Sequence, residues 1–196
     1  MLTFSVLVIA IAIVIYLCFF LVRWIHKKEK IENIIFKTCL YVYSCGVIKY
    51  TLFPVLISSQ LLKDRAEDIT GPFFNLIPFH TINEIFSIRI NIESIMQIVL
   101  NIVLFVPLGI LLPLCFNKIS WKTVFLIGLS TSICIELIQL MQNIIYQAPF
   151  KFTDIDDIML NVFGNVIGYV LFLTCKPLFQ RLGLCPKITS ANLEEN

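Results

Sequence analysis

Charge is scarce in this chain. Asp, Glu, Lys and Arg supply 14% of its 196 residues, against about a quarter in an ordinary soluble domain. That shortage argues against a water-solvated surface of normal size. No Lys or Arg precedes the first apolar run, and charges follow it instead, so it is expected to be an uncleaved first helix rather than a secretory signal. The seven cysteines, Cys18, Cys39, Cys45, Cys115, Cys134, Cys175 and Cys185, contain no C-x-x-C spacing. They point to no zinc site and read as buried or reduced thiols that behave as small hydrophobes. No nucleophile–base motif or metal signature stands out, and no metal ion or cofactor is expected. The basic residues are split among short segments, so nucleic acid is not an expected partner. No internal repeat is visible, which disfavours a transporter built from inverted halves.

What the chain has is apolar length. Hydrophobic residues make up 58% of it, gathered in runs near the roughly 20 residues that cross a bilayer as helix. The runs are Leu2 to Val22, Ile34 to Ile57, Ile92 to Leu114, Trp121 to Met141 and Ile155 to Leu178. Only helices or closed barrels satisfy the backbone in lipid, and these runs lack the alternation of barrel strands. The expected fold is therefore all-α, a polytopic membrane bundle of about five spans. Residues 1–33 supply the first span and a basic loop, 34–178 the main membrane domain, and 179–196 a polar tail. Arg23, Lys27, Lys28, Lys30, Lys37, Lys118, Lys122, Lys176, Arg181 and Lys187 collect on one side. Lys63, Arg65, Arg89 and Lys151, with Lys49 nearby, lie toward the other. The positive-inside rule puts the first group in the cytoplasm, with the N-terminus outside and the C-terminus inside. Loops 58–91 and 142–157 are then external.

Polar groups inside membrane helices are costly and usually face the bundle interior, often at functional sites. Ser132, Glu136, Gln139 and Asn143 recur at helical spacing on one face. Glu136 lies about two turns from the outer end, so its carboxyl should be paired, hydrated, hydrogen-bonded or protonated. Thr153 and Asp156 fit a capping box at the start of the fifth run. Asp154 and Asp157 are less well explained by capping, and their face continues through Asn161, Gly164, Asn165 and Gly168. Gly164 and Gly168 form a small-xxx-small pair suited to close helix packing. Asn101 follows Gln97 by one turn in the third run, and Pro107 there should kink the helix. The external segment from Asn75 to Ile82 is too apolar for a solvated loop, and should dip onto the bundle or lie in the interface. His80 within it reads as a surface residue. The candidate pocket comprises Glu136, Gln139, Asp154, Asp157, Asn101, Asn161, Ser132 and Lys151, with Gly164, Gly168 and Pro107 as packing positions.

Taken together, these segments resemble the VanZ-like family, named for a teicoplanin-resistance protein. The resemblance rests on Tyr50-Thr51-Leu52-Phe53-Pro54, Asn75 to Ile82, Asn101 to Gly109, Ser132-x-x-x-Glu136-x-x-Gln139, and Asp154-Ile155-Asp156-Asp157 with Asn161, Gly164 and Gly168. It spans about residues 45–175. The family usually has Arg where this chain has Lys151, which keeps the charge but loses the planar two-pronged donor. The resemblance implies a multi-pass protein of the bacterial plasma membrane that lowers susceptibility to glycopeptide antibiotics such as teicoplanin. The expected partners are membrane lipids and a glycopeptide antibiotic or lipid-linked cell-wall precursor. A non-enzymatic role is the leading expectation. The alternative is a membrane enzyme acting on a lipid or cell-wall precursor head group, with Glu136, Asp154 and Asp157 as acid, base or cation ligands.

Overall fold

A computed structural model describes residues 6–27, 30–55, 74–87, 91–116, 118–146 and 151–184. Lys28, Lys63, Arg65, Arg89, Cys185 and Lys187, which figure in the sequence reading, lie outside the described residues.

The first apolar run is helical as α1 (Val6–Ile15), a π-helical stretch (Tyr16–Leu21) and α2 (Val22–His26). The backbone at both ends of the π stretch stays helical, so the chain runs through without a break. α3 covers Ile31–Leu52. A two-residue strand β1 (Phe74–Asn75) leads to the short helix α4 (His80–Ser87). α5 covers Ile92–Cys115 and α6 Trp121–Tyr146. Strand β2 (Thr153–Asp154) then runs directly into α7 (Ile155–Arg181). Among the described residues, α3, α5, α6 and α7 are each long and apolar enough to cross a membrane. Among the described residues the bundle is all-α apart from one parallel pairing, Phe74 with Thr153 and Asn75 with Asp154.

Two ends differ from the apolar pattern. The second run was expected to reach Ile57, but α3 stops at Leu52. Pro54 explains this, since the residue before a proline is pushed out of the helical region and Phe53 is extended. The fourth run was expected to end near Met141, but α6 continues to Tyr146. Gln142 and Asn143 are polar, yet both find hydrogen-bond partners on other segments, so the helix has no reason to stop before them.

Lipid is as apolar as leucine, so small residues and polar ties hold membrane helices together more than burial does. α5 and α7 meet backbone to backbone. A side chain added at Gly164 would strike the carbonyl of Ile102, and one at Gly168 that of Val106. Gly109 faces Asn165 and Tyr169 across the same contact. α5 runs on through Pro107 and Pro113 as one helix. Near Pro107, the Leu104 carbonyl accepts the Tyr43 hydroxyl of α3 at 2.8 Å. Phe105 and Val124 pack in the centre with Val47, Leu108, Leu112 and Ile135. The first helix leans on α3 through Tyr41 to the Ala12 carbonyl and Tyr16 to Thr38. A cavity of about 210 Å³ remains between them.

Candidate functional site

The polar face of α6 bridges to four other segments. Ser132, fully buried, accepts the Asn161 amide N–H of α7 at 3.0 Å. Glu136, 4% exposed, accepts the Asp154 backbone N–H at 3.1 Å. Gln139 donates to the Thr51 carbonyl of α3 at 2.9 Å. Asn143 accepts the Lys151 N–H at 3.0 Å and donates back to the Lys151 carbonyl. One helical face thus fixes α3, α7 and the connection that precedes β2.

The start of α7 differs from the expected capping box. Pairing with Phe74 draws Thr153 into β2, and the cap moves one residue on. Asp154 is the N-cap, in extended backbone, and its side chain accepts the Asp156 N–H at 2.9 Å. The same Asp154 oxygen accepts the Asn75 amide at 3.0 Å. That frees the Asp156 carboxylate to turn outward. It accepts the Phe79 N–H on one oxygen and the Ile82 N–H at 3.1 Å on the other. A carboxylate suits these otherwise orphaned donors at a helix start. Asp156 therefore caps α4, from a different part of the chain. Asp157, half-buried, accepts the Asn101 amide of α5.

Lys151 has its ammonium on the carbonyls of Thr51 and Phe53, just past the last turn of α3. With Gln139 on Thr51 and Gln142 on Leu52 at 3.1 Å, it covers the carbonyls that a helix C-terminus leaves open. A cation there also suits the negative end of the helix dipole. Burial holds the Lys151 ammonium below the ordinary lysine range, and the nearby Glu136 charge opposes that shift.

The candidate residues therefore meet at one end of the bundle. Glu136 is close enough to Asp157, Asp154 and Lys151 to feel the charge of each. Ser132 and Asn161 form a rung one turn beneath Glu136 and Asp157. Asn101 is tied to Asp157, while Gln139 reaches away toward α3. Asn161 Oδ1 is buried with no hydrogen-bond partner among the described residues, so acceptor capacity remains below the carboxylates. Such an arrangement can exchange protons between carboxyls or accept from a donor-bearing ligand. Among the described residues, no group of three or more His, Cys, Asp or Glu is placed to hold a metal ion. His80 opens α4 on the exposed surface. Sequence reasoning missed Asn75 as a partner of Asp154, and Asn143 as the clamp on Lys151. Both lie far along the chain or across a connection from the group they hold, and local spacing carries no sign of that.

A family model described as VanZ/LLP1 matches residues 6–179. The chain belongs to the VanZ/LLP1 family. The match takes in all the residues gathered at the site, so the polar end of the bundle lies within the family's shared region. No curated protein and no solved structure matches the chain.

Proposed function

We propose that this VanZ/LLP1 membrane protein sits in the bacterial plasma membrane and lowers susceptibility to glycopeptide antibiotics such as teicoplanin. Its polar end faces outward, and it acts by binding rather than by chemistry. The observation that carries this reading is the meeting of Glu136, Asp154, Asp157 and Lys151 from separate segments at one end of the bundle. Charge at that depth is expensive and is usually kept for a ligand or pathway. The uneven spread of Lys and Arg supports the outward orientation. Its ligand is the antibiotic or a lipid-linked cell-wall precursor.

The test is expression in a susceptible host, with the inhibitory concentration and the surface binding of labelled teicoplanin both measured. The expected result is a raised inhibitory concentration that Glu136→Gln and Asp157→Asn abolish at equal protein level. Unchanged susceptibility and unchanged binding in the wild-type strain would overturn the reading. The proximity of three carboxyls favours a second reading, an enzyme acting on a lipid or cell-wall precursor head group by general acid and base. Comparing envelope lipids from wild-type and Glu136→Gln strains separates the two, because only the enzyme leaves a substrate that accumulates.

A further inference from the structure

The turn between β1 and α4 presents Leu76, Ile77, Pro78 and Phe79 in succession, and all four side chains are exposed among the described residues. Leu76 and Ile77 are 66% and 64% exposed. A run of four exposed apolar residues is a liability in water unless it meets a partner. This run is also held stiffly. Asn75 at its base bonds Asp154 and caps the turn through the Ile77 N–H at 3.0 Å. Asp156 grips Phe79 and Ile82 at its far end. Phe79 is kept at a φ of 64°, a left-handed backbone that a side-chain-bearing residue adopts only at a cost. The inner face of α4 turns Ile85 into the protein, while Phe86 is 58% exposed on the outside.

The depth of this turn follows from the hydrogen bonds. Tyr50, 74% exposed, lies at the C-terminal end of α3 with the Lys49 ammonium 5.1 Å from its ring centre. An aromatic ring with a snorkelling lysine marks the head-group level. At the opposite end of the bundle, Lys37 over Trp24 and Lys122 over Trp121 form the matching marks. Gln139 bonds Thr51, next to Tyr50. Glu136 is three residues deeper on α6, about 4.5 Å at 1.5 Å per residue. The Asp154 backbone is bonded to Glu136, and Asp156 follows two residues later. A turn gripped by Asp154 and Asp156 therefore cannot stand clear of the head-group layer in bulk water.

We infer that the Leu76–Phe79 turn is a membrane-interface wedge. Its occupant is the phospholipid bilayer at the junction of head groups and acyl chains. The wedge roofs the acidic cluster, so molecules reach that cluster through the head-group layer, and a lipid or other amphiphile is the class of ligand it admits. The wedge itself does not depend on which way the protein faces across the membrane, nor on any antibiotic phenotype.

Fluorescence tests this directly. The chain's two tryptophans, Trp24 and Trp121, are replaced by Phe, and Leu76→Trp or Ile77→Trp is introduced into the full-length protein in phospholipid nanodiscs. Phosphatidylcholine with brominated acyl chains and aqueous acrylamide serve as quenchers. The expected result is blue-shifted emission, about twofold quenching by the brominated lipid, as befits an interfacial ring, and protection from acrylamide. Quenching by acrylamide alone would place the turn in water and overturn the inference. Protection from both quenchers would also overturn it, since residues 56–73 or a second copy would then cover the turn. Phe86→Trp, on the outer face of α4, gives the same discrimination if a substitution in the turn prevents folding.

Discussion

Replacing Asp156 by alanine should free α4 without unfolding the bundle. The carboxylate accepts two backbone N–H groups, from Phe79 and Ile82, and has only 1% of its surface exposed. A hydrogen bond to a charged group contributes about 1.5–3 kcal/mol, and loss of an N-cap costs about 0.5–2 kcal/mol. For the pair, about 2–4 kcal/mol is a fair range, since the freed N–H groups regain some contact with water or head groups. The strain at Phe79 adds to the push, because loosening the turn lets it leave the left-handed region. At 1.4 kcal/mol per factor of ten, amide exchange across Phe74–Ser87 should speed up by about 30- to 700-fold. The assay is hydrogen exchange with mass spectrometry in nanodiscs. Amides of α5 and α7 should keep their protection, since both hydrogen bonds of the Asp156 carboxylate go to the turn and the start of α4. Asp156→Asn keeps one acceptor but points an N–H at the other donor, so it should fall between wild type and alanine. Unchanged exchange across Phe74–Ser87 in a folded Asp156→Ala protein would refute the reasoning, because something else would then be holding the roof.

Gly164→Ala and Gly168→Ala should each lower the thermal unfolding midpoint in detergent, with a cost of at least about 1–3 kcal/mol from overpacking, because the new methyl meets a backbone carbonyl rather than a side chain that can yield. Gly46, where an added Cβ meets nothing, is the control, and Gly46→Ala should be neutral or slightly stabilising. Lys151→Met should destabilise by about 1–3 kcal/mol by removing the charged donor from the Thr51 and Phe53 carbonyls, with Gln139 still on Thr51, while Lys151→Arg should be tolerated; urea or thermal unfolding ranks the three. Because burial lowers the Lys151 value in the folded protein, the unfolded chain binds this proton more tightly. The contribution of Lys151 to stability should therefore rise with pH as pH climbs from the folded value toward the ordinary 10.5. The stability difference between wild type and Lys151→Met, followed against pH, should show that rise, and a flat difference would contradict it.

The spans were legible because lipid imposes a simple demand, about 20 apolar residues of helix. The stripe Ser132, Glu136, Gln139 was legible for the same reason, since polar groups at helical spacing must share a face. What could not be read was the partner of each group. Asp156 looked like part of a local box with Thr153, and no local pattern marks a bond to Phe79, 77 residues away. Lys151 read as a member of the candidate pocket. Its engagement with α3 depends on where Pro54 ends that helix, and then on Asn143 fixing the lysine backbone. The two-residue sheet was equally hidden, being too short for any alternation to register. Short pairings of this kind are set by the tertiary frame around them rather than by propensity.

The glycine seam between α5 and α7 has a mechanical consequence. With Gly164 and Gly168 seated against the carbonyls of Ile102 and Val106, neither helix can slide or roll without one backbone riding over the other. Packed elements at such distances behave as a single beam. Asp157 and Asn101, one on each helix, are then held at a fixed separation by the seam itself.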